Sequence, residues 1–180
     1  MSMVWIGGAT SAGSTSTFTF ASIPSTFSHL QLRLTGRSVS NQSTPYDAVI
    51  TVNGANPTTF IAHRLSADGG SVTSASVTSD NVFRSPLCIP NAFHTANVFG
   101  SVIFDFLDYA NTSKNKTVRI ISGYDNNGGS SPAAGWVNLV SSAWFDTSAV
   151  SNIQLFTFGN WAAGSRADLY GITSSSVTGA

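Results

Sequence analysis

The sequence predicts an all-β domain, an antiparallel two-sheet sandwich with jelly-roll-like or Greek-key connections, on three observations. Apolar residues recur with a period of two, as in the TFTF run at 17–20 and the LQLRL run at 30–34. All eight acidic residues are Asp and only two residues are Lys, so the chain lacks the side chains that usually cover an exposed helix face. The runs form eight to ten segments of strand length, and no segment has the period of a long helix.

In the first half of the chain, each predicted strand has its own pattern. Residues 1–16 are either a first strand, because 3–6 are apolar, or an arm that reaches a neighbouring subunit. Residues 17–21 alternate and stop before Pro24, which cannot donate to a ladder. Residues 28–37 bury one face and expose the other, residues 46–53 end at an Asn-Gly turn, and residues 58–65 form a further strand. Residues 71–96 hold a possible strand near 82–83, two prolines and no clear period, which predicts mostly irregular structure.

In the second half, residues 98–109 form a long strand with apolar residues on both faces. Phe104 shares one face with Phe106, and Ile103 shares the other with Leu107, which indicates a central position or a covered outer face. Residues 117–124 form its hairpin partner, and further strands are predicted at 136–145, 153–158 and 166–172. Residues 17–173 therefore form a single sandwich domain, and residues 174–180 form a small polar tail.

The charge balance excludes several classes of partner. Only 9% of the residues are charged and the net charge is zero, so the surface has little long-range field. We therefore expect no nucleic-acid and no membrane partner. A neutral, hydroxyl-rich surface suits a protein packed beside copies of itself or beside other proteins. The single cysteine allows no intrachain disulfide, and the N-terminus does not have the pattern of a signal peptide.

A set of short motifs resembles a recurring pattern in structural proteins of tailed-bacteriophage virions. The motifs are Phe-Gly-Ser at 99–101, Asp-Tyr-Ala-Asn-Thr at 108–112, Lys-Thr-Val at 116–118 and Ser-Gly-Tyr-Asp-Asn at 122–126. Flanking pieces agree with it: Ile-Pro followed by His-Leu-Gln-Leu at 23–32, His-Arg-Leu at 63–65, Trp through Ser-Ala-Val at 144–153 and Leu-Tyr-Gly-Ile at 169–172. The likeness covers roughly 15–172 and implies a compact β-sandwich of a virion, with no catalytic residues attached.

No constellation of residues indicates catalysis or a bound metal, so we predict a protein that is not an enzyme and has no cofactor. Asp105 faces solvent and Asp108 forms a turn, so the two carboxylates do not share a site. The histidines at 29, 63 and 94 lack metal-ligand spacing, and the oxygen-rich run at 125–129 is predicted as a turn rather than a calcium loop. Cys88 lies in an apolar context, which predicts a buried thiol with a raised pKa.

The four tryptophans are the remaining candidates for a binding role. Trp136 and Trp144 lie in a predicted strand and are expected in the core. Trp5 and Trp161 are flanked by small residues, so they are the candidates for an exposed role, at an interface or as a platform for a sugar ring.

The expected function is that of a virion structural protein. The first reading is a capsid cement or decoration protein on the capsid surface, made in the host cytoplasm. Its partners would be the major capsid protein and copies of itself, with a trimer as the expected state. The alternative is a receptor- or carbohydrate-binding module of a tail fibre or spike, and a sugar ligand is expected only under that alternative.

Overall fold

A computed structural model describes residues 2–41, 48–54, 60–80, 83–126 and 134–174, with the backbone alone at 77–80 and 83–87. All of its regular elements are strands, which confirms the all-β prediction. They are β1 (Ser2–Thr10), β2 (Thr17–Phe20), β3 (His29–Gly36), β4 (Ala48–Val52), β5 (Phe60–Ala67), β6 (Val72–Asp80), β7 (Phe83–Leu87), β8 (Gly100–Leu107), β9 (Lys116–Asp125), β10 (Gly135–Trp144), β11 (Ile153–Thr157) and β12 (Arg166–Thr173). With no helix among the described residues, none is available there to cross a membrane.

The strands form two antiparallel sheets, as the alternating patterns predict. The large sheet has eight strands in the order β1-β12-β3-β8-β9-β10-β5-β6, and the small sheet has four in the order β2-β11-β4-β7. The chain passes from one sheet to the other between most successive strands, so the two layers share one core.

The connectivity is that of a jelly roll with two inserted hairpins. If β5–β6 and β9–β10 are set aside, the remaining strands numbered in chain order run 1-8-3-6 in one sheet and 2-7-4-5 in the other. That arrangement is two interlocked Greek keys. Both insertions join the same edge of the large sheet beyond β8, where β10 pairs with β5. They double the number of strands in that sheet, and β7 at the edge of the small sheet contacts the added strands β10, β5 and β6.

The core lies between the sheets and is built from the inward positions of each alternating strand. In β3 the inward residues are Leu30, Leu32 and Leu34, each no more than 2% exposed. The facing layer supplies, among others, Phe18, Ile50, Val52, Ile153 and Leu155. Strand alternation thus places one apolar set inside and leaves the opposite set on the surface.

The prediction of irregular structure at 71–96 is wrong. This segment contains β6, which pairs with β5 from Ala67↔Val72 to Phe60↔Asp80, and β7, which pairs with β4. Each lies at an edge of its sheet. An edge strand is held mainly by its backbone ladder, so a run of Ser, Thr and Ala can occupy it without a strong apolar period.

Residues Ser2–Thr10 form β1 in this chain's own large sheet, paired with β12 along its length. Residues 1–16 were predicted to be either a first strand or an arm that reaches a neighbouring subunit, and the structure shows the strand. The Asn53-Gly54 turn is confirmed, with φ of 54° and 62° at its two residues. The predicted turn at 127–128 and the polar tail at 175–180 lie outside the described residues.

The outer face of the large sheet as a candidate functional site

The outer face of the large sheet has a row of aliphatic side chains where polar ones are expected. The pairings Ile103↔Ile121, Ile121↔Leu139 and Leu139↔Leu65 place four such residues side by side on β8, β9, β10 and β5. We call these four residues the aliphatic stripe. Ile121, Leu139 and Leu65 lie on the strands that the two inserted hairpins add, and Ile103 lies on β8, the jelly-roll strand next to them.

The stripe is exposed to solvent. Ile121, Leu139 and Leu65 are 50–56% exposed and Ile103 is 37% exposed. Val137 and Val72, both more than half exposed, lie beside the stripe across the pairings Val137↔Ala67 and Ala67↔Val72. Contiguous exposed aliphatic area of this kind typically marks a surface that another molecule covers.

The row next to the stripe is polar, which limits the apolar surface on one side. Asp105 pairs across the ladders with Gln31 on β3 and with Arg119 on β9. The amide of Gln31 donates to Asp105 Oδ1 at 2.8 Å and accepts from Arg33 Nε at 2.7 Å. Asp105 is therefore part of a hydrogen-bonded row on the outer face, whereas Asp108 lies in the following turn with φ of 50°. The sequence prediction that the two carboxylates are separate is confirmed.

At the far edge of the same face, Trp5 is held in a fixed orientation. Its indole Nε1–H donates to Asp168 Oδ1 at 3.0 Å, and its ring is 57% exposed. Arg166 in turn binds both oxygens of Asp168 at 2.6 Å. The hydrogen bonds from Arg166 lower the pKa of Asp168, so this carboxylate stays ionised as an acceptor for Trp5.

Four further side chains continue from Trp5 and Asp168 across the sheet, and we call the set the Trp5 corner (Trp5, Gln31, Arg33, Asp105, Asp168 and Tyr170). Trp5 pairs with Tyr170 on β12, and Tyr170 pairs with Gln31 on β3. The guanidinium of Arg33 lies 5.3 Å from the centre of the Tyr170 ring, a cation–π geometry. The corner thus has aromatic rings beside amide, guanidinium and carboxylate groups.

The expectation that Trp161 is exposed is wrong. Trp161 is fully buried and stacks on Phe18 with 5.2 Å between ring centres. Its backbone bridges to Ser38, and its N–H donates to the carbonyl of Thr15. The small residues Ala163 and Gly164 after it lie exposed in a turn, so they indicate the turn and not the position of the Trp161 side chain. Trp144 is buried as predicted, and Trp136 is partly buried.

The remaining candidate residues have structural surroundings. Cys88 is fully buried, and burial raises its pKa to about 12, as the sequence predicts. His94 is buried between Asn91 and Tyr124, whose hydroxyl lies 2.7 Å from His94 Nε2. Within the described ranges, no group of three or more His, Cys or Asp residues has the geometry of a metal site.

Three of the motifs that resemble the phage pattern, at 23–32, 108–112 and 144–153, meet at one end of the sandwich, around Tyr109. Its buried side chain donates a hydrogen bond to the carbonyl of Pro24 and accepts one from the N–H of Phe27. Its backbone carbonyl accepts from the N–H of Val150 at 2.9 Å. Burial raises the pKa of Tyr109, which keeps the hydroxyl protonated as a donor. Three motifs that are distant in sequence are therefore joined through one residue.

Lys116 completes this junction with a buried cation. Its side chain is 2% exposed, and Nζ donates to the carbonyls of Asn111, Lys114 and Thr147 at 2.6, 2.8 and 3.0 Å. Burial lowers the pKa of this ammonium group, and the charges of Asp146 and Asp108 oppose that shift. The three carbonyls use all three donors, so this group links two loops and has no capacity left for a ligand.

Sequence reasoning missed most of the aliphatic stripe. It noted Ile103 on the second face of β8, but the exposed positions of Ile121, Leu139 and Leu65 depend on the cross-strand register. A signal was available in the Ile120-Ile121 and Leu139-Val140 pairs, which place an apolar side chain on each face of a strand.

Comparison with known proteins gives no match to this chain. No family model, no curated protein and no solved structure matches it.

Proposed function

We propose that this protein is a structural component of a tailed-phage virion that binds the outside of the capsid and stabilises it. The observation that carries the proposal is the aliphatic stripe, because four exposed aliphatic residues in register on a sheet face favour docking onto another protein. The sequence resemblance supports the virion as the setting. The jelly-roll topology is compatible with that setting, since this fold is common among capsid proteins.

The mechanism is burial of surface between folded subunits. A partner that binds only the assembled shell stabilises the shell by mass action and needs no chemical step. The first partner is the major capsid protein, which binds the stripe. The second is further copies of this chain, which we propose form a homotrimer. The zero net charge supports both contacts, because neither has to overcome long-range repulsion.

The test is binding to capsids by a variant that lacks the stripe. The double variant Ile121→Thr/Leu139→Thr places threonine, a residue that favours strands, at two exposed positions. We therefore expect its free energy of unfolding to stay within about 0.5 kcal/mol of the wild type. The loss of buried aliphatic area should cost about 2 kcal/mol of binding, or roughly a thirtyfold drop in affinity. The readout is co-sedimentation with capsids that lack this protein.

The matched control is Arg119→Gln/Ser141→Thr, which changes outward residues of the same two strands one row away. We expect this control to bind capsids as the wild type does. Antibody labelling of intact virions locates the protein independently. Labelling of the tail, or unchanged capsid binding by the stripe variant, contradicts the proposal.

A further inference from the structure

We propose that the Trp5 corner is a carbohydrate-binding site, in which a neutral pyranose ring stacks on Trp5 and hydrogen-bonds to the neighbouring polar side chains. This site is separate from the aliphatic stripe, so the inference goes beyond capsid binding. The two surfaces share no residue, and Arg33 is the member of the corner that borders the stripe, because it pairs with Asp168 on one side and with Ile103 on the other.

The first argument is that the aromatic platform is fixed before any ligand arrives. Trp5 is more than half exposed, whereas Trp144 and Trp161 are buried. The hydrogen bond to Asp168 fixes its indole, and Arg166 fixes Asp168. An exposed ring held in one orientation loses little conformational entropy when a flat ligand face stacks on it.

The local backbone is shaped to hold this arrangement. The space that a Cβ would occupy at Gly8 is already filled by the carboxylate of Asp168. Gly8 pairs directly with Asp168 across the ladder, so the absence of a side chain lets the carboxylate lie over β1 and reach Trp5. At Gly7 no heavy atom lies within 4 Å of the same position, so the requirement for glycine is specific to Gly8.

The second argument is the chemistry beside the platform. Tyr170, Gln31 and Asp105 continue from Trp5 in one row across β12, β3 and β8. Adjacent strands lie about 4.8 Å apart, so this row extends about 14 Å from Trp5, enough for a short oligosaccharide. Phenol, amide and carboxylate groups provide the hydrogen-bond donors and acceptors that the vicinal hydroxyls of a sugar need. The C–H face of the sugar ring stacks on the indole of Trp5.

The charge of the corner favours a neutral ligand. Arg33 and Arg166 are balanced by Asp105 and Asp168, and Arg166 binds both oxygens of Asp168. Arg119, beside Asp105 at the end of the row farthest from Trp5, adds a single positive charge. A nucleic acid or an anionic polysaccharide would require excess positive charge to bind its backbone. A neutral hexose oligosaccharide requires none.

The experiment is a glycan array that presents neutral and anionic oligosaccharides, followed by isothermal titration of the strongest neutral hexose oligosaccharide. We expect selective binding of neutral glycans and at least a tenfold loss of affinity in Trp5→Ala. Trp5→Phe should retain part of the affinity, because a smaller ring can still stack. Gly8→Ala should weaken binding several-fold by displacing Asp168, whereas Gly7→Ala should bind as the wild type does.

The unfolding midpoint of each variant is measured alongside, and ligand-induced quenching of Trp fluorescence in the wild type gives a readout that needs no variant. Ile121→Thr/Leu139→Thr should leave glycan affinity unchanged, so the failure of this site and the failure of capsid binding are distinguishable. Absence of glycan binding, a preference for anionic glycans or nucleotides, or equal affinity of Trp5→Ala and wild type overturns the inference.

Discussion

At the scale of single residues, two buried polar side chains with full sets of partners join the loops at one end of the sandwich. Tyr109 and Lys116 are both buried, and each joins loops that are distant in sequence. A buried charge is costly unless its hydrogen bonds are satisfied, and Lys116 satisfies its three with carbonyl oxygens. The Asp-Tyr-Ala-Asn-Thr and Lys-Thr-Val segments that hold these two residues therefore have a structural role in joining loops.

Lys116→Met tests this explanation. Methionine keeps the length of the stem but leaves three carbonyls without their donor, so we expect a loss of about 3 kcal/mol in the free energy of unfolding. The measurement is urea unfolding followed by Trp fluorescence. Lys114→Met is the control, because the Lys114 side chain is 61% exposed and its ion pair with Asp108 is worth no more than about 1 kcal/mol. Equal losses in the two variants would show that the buried hydrogen bonds contribute little.

At the scale of elements, the alternating strands were predictable and the edges of the sheets were not. A strand such as β3 has a buried face that selects Leu at every second position, so its sequence alone identifies it. β6 and β7 lie at sheet edges, and their hydrogen bonds to β5 and β4 leave no trace in side-chain hydrophobicity. Pairing between distant segments is a tertiary property that a local pattern does not encode.

The same limit applies to the aliphatic stripe and the Trp5 corner, because a local sequence pattern does not predict which distant residues become neighbours. Small flanking residues predicted exposure for both Trp5 and Trp161, and only Trp5 is exposed. The residues that continue its row, Tyr170, Gln31 and Asp105, come from strands far along the sequence. Trp161 was misjudged because its small neighbours matched an exposed turn, which they do form, whereas the Trp161 ring itself stacks on Phe18 in the core. The aliphatic stripe combines β5 with β8, β9 and β10, so its continuity depends on the insertion of two hairpins into one edge.

A glycine in β12 provides the test at this scale. A Cβ at Gly171 would overlap the ring of Phe27, which packs flat against this strand next to the Tyr109 junction. Gly171→Ala should therefore force Phe27 out of its place and cost about 2 kcal/mol of stability, measured by thermal and urea unfolding. Gly7→Ala in the neighbouring strand β1 has open space for its methyl group and should change stability by less than about 0.5 kcal/mol. If both variants unfold alike, the contact between Phe27 and β12 does not constrain the sheet.

At the scale of the whole molecule, the chain has few charged residues, so individual ion pairs account for much of its dependence on pH. Three carboxylates have lowered pKa values: Asp108 through a hydrogen bond from Lys114, Asp146 through the backbone N–H of Ser148, and Asp168 through Arg166. A carboxylate with a lowered pKa in the folded state stabilises the fold above its unfolded pKa of about 4, and that contribution is lost as the pH falls toward its folded pKa.

The chain should therefore lose stability on acidification below about pH 4, where the unfolded chain takes up protons that the folded chain does not. The measurement is the urea midpoint as a function of pH. Because Asp168 is the least exposed member of the ion pairs, with its side chain 15% exposed, it should contribute the clearest part of the slope. Asp168→Asn should flatten the acid limb and, by removing the anchor of Trp5, should also weaken glycan binding at neutral pH. An acid limb of unchanged steepness in that variant would mean that the pair with Arg166 does not couple folding to pH.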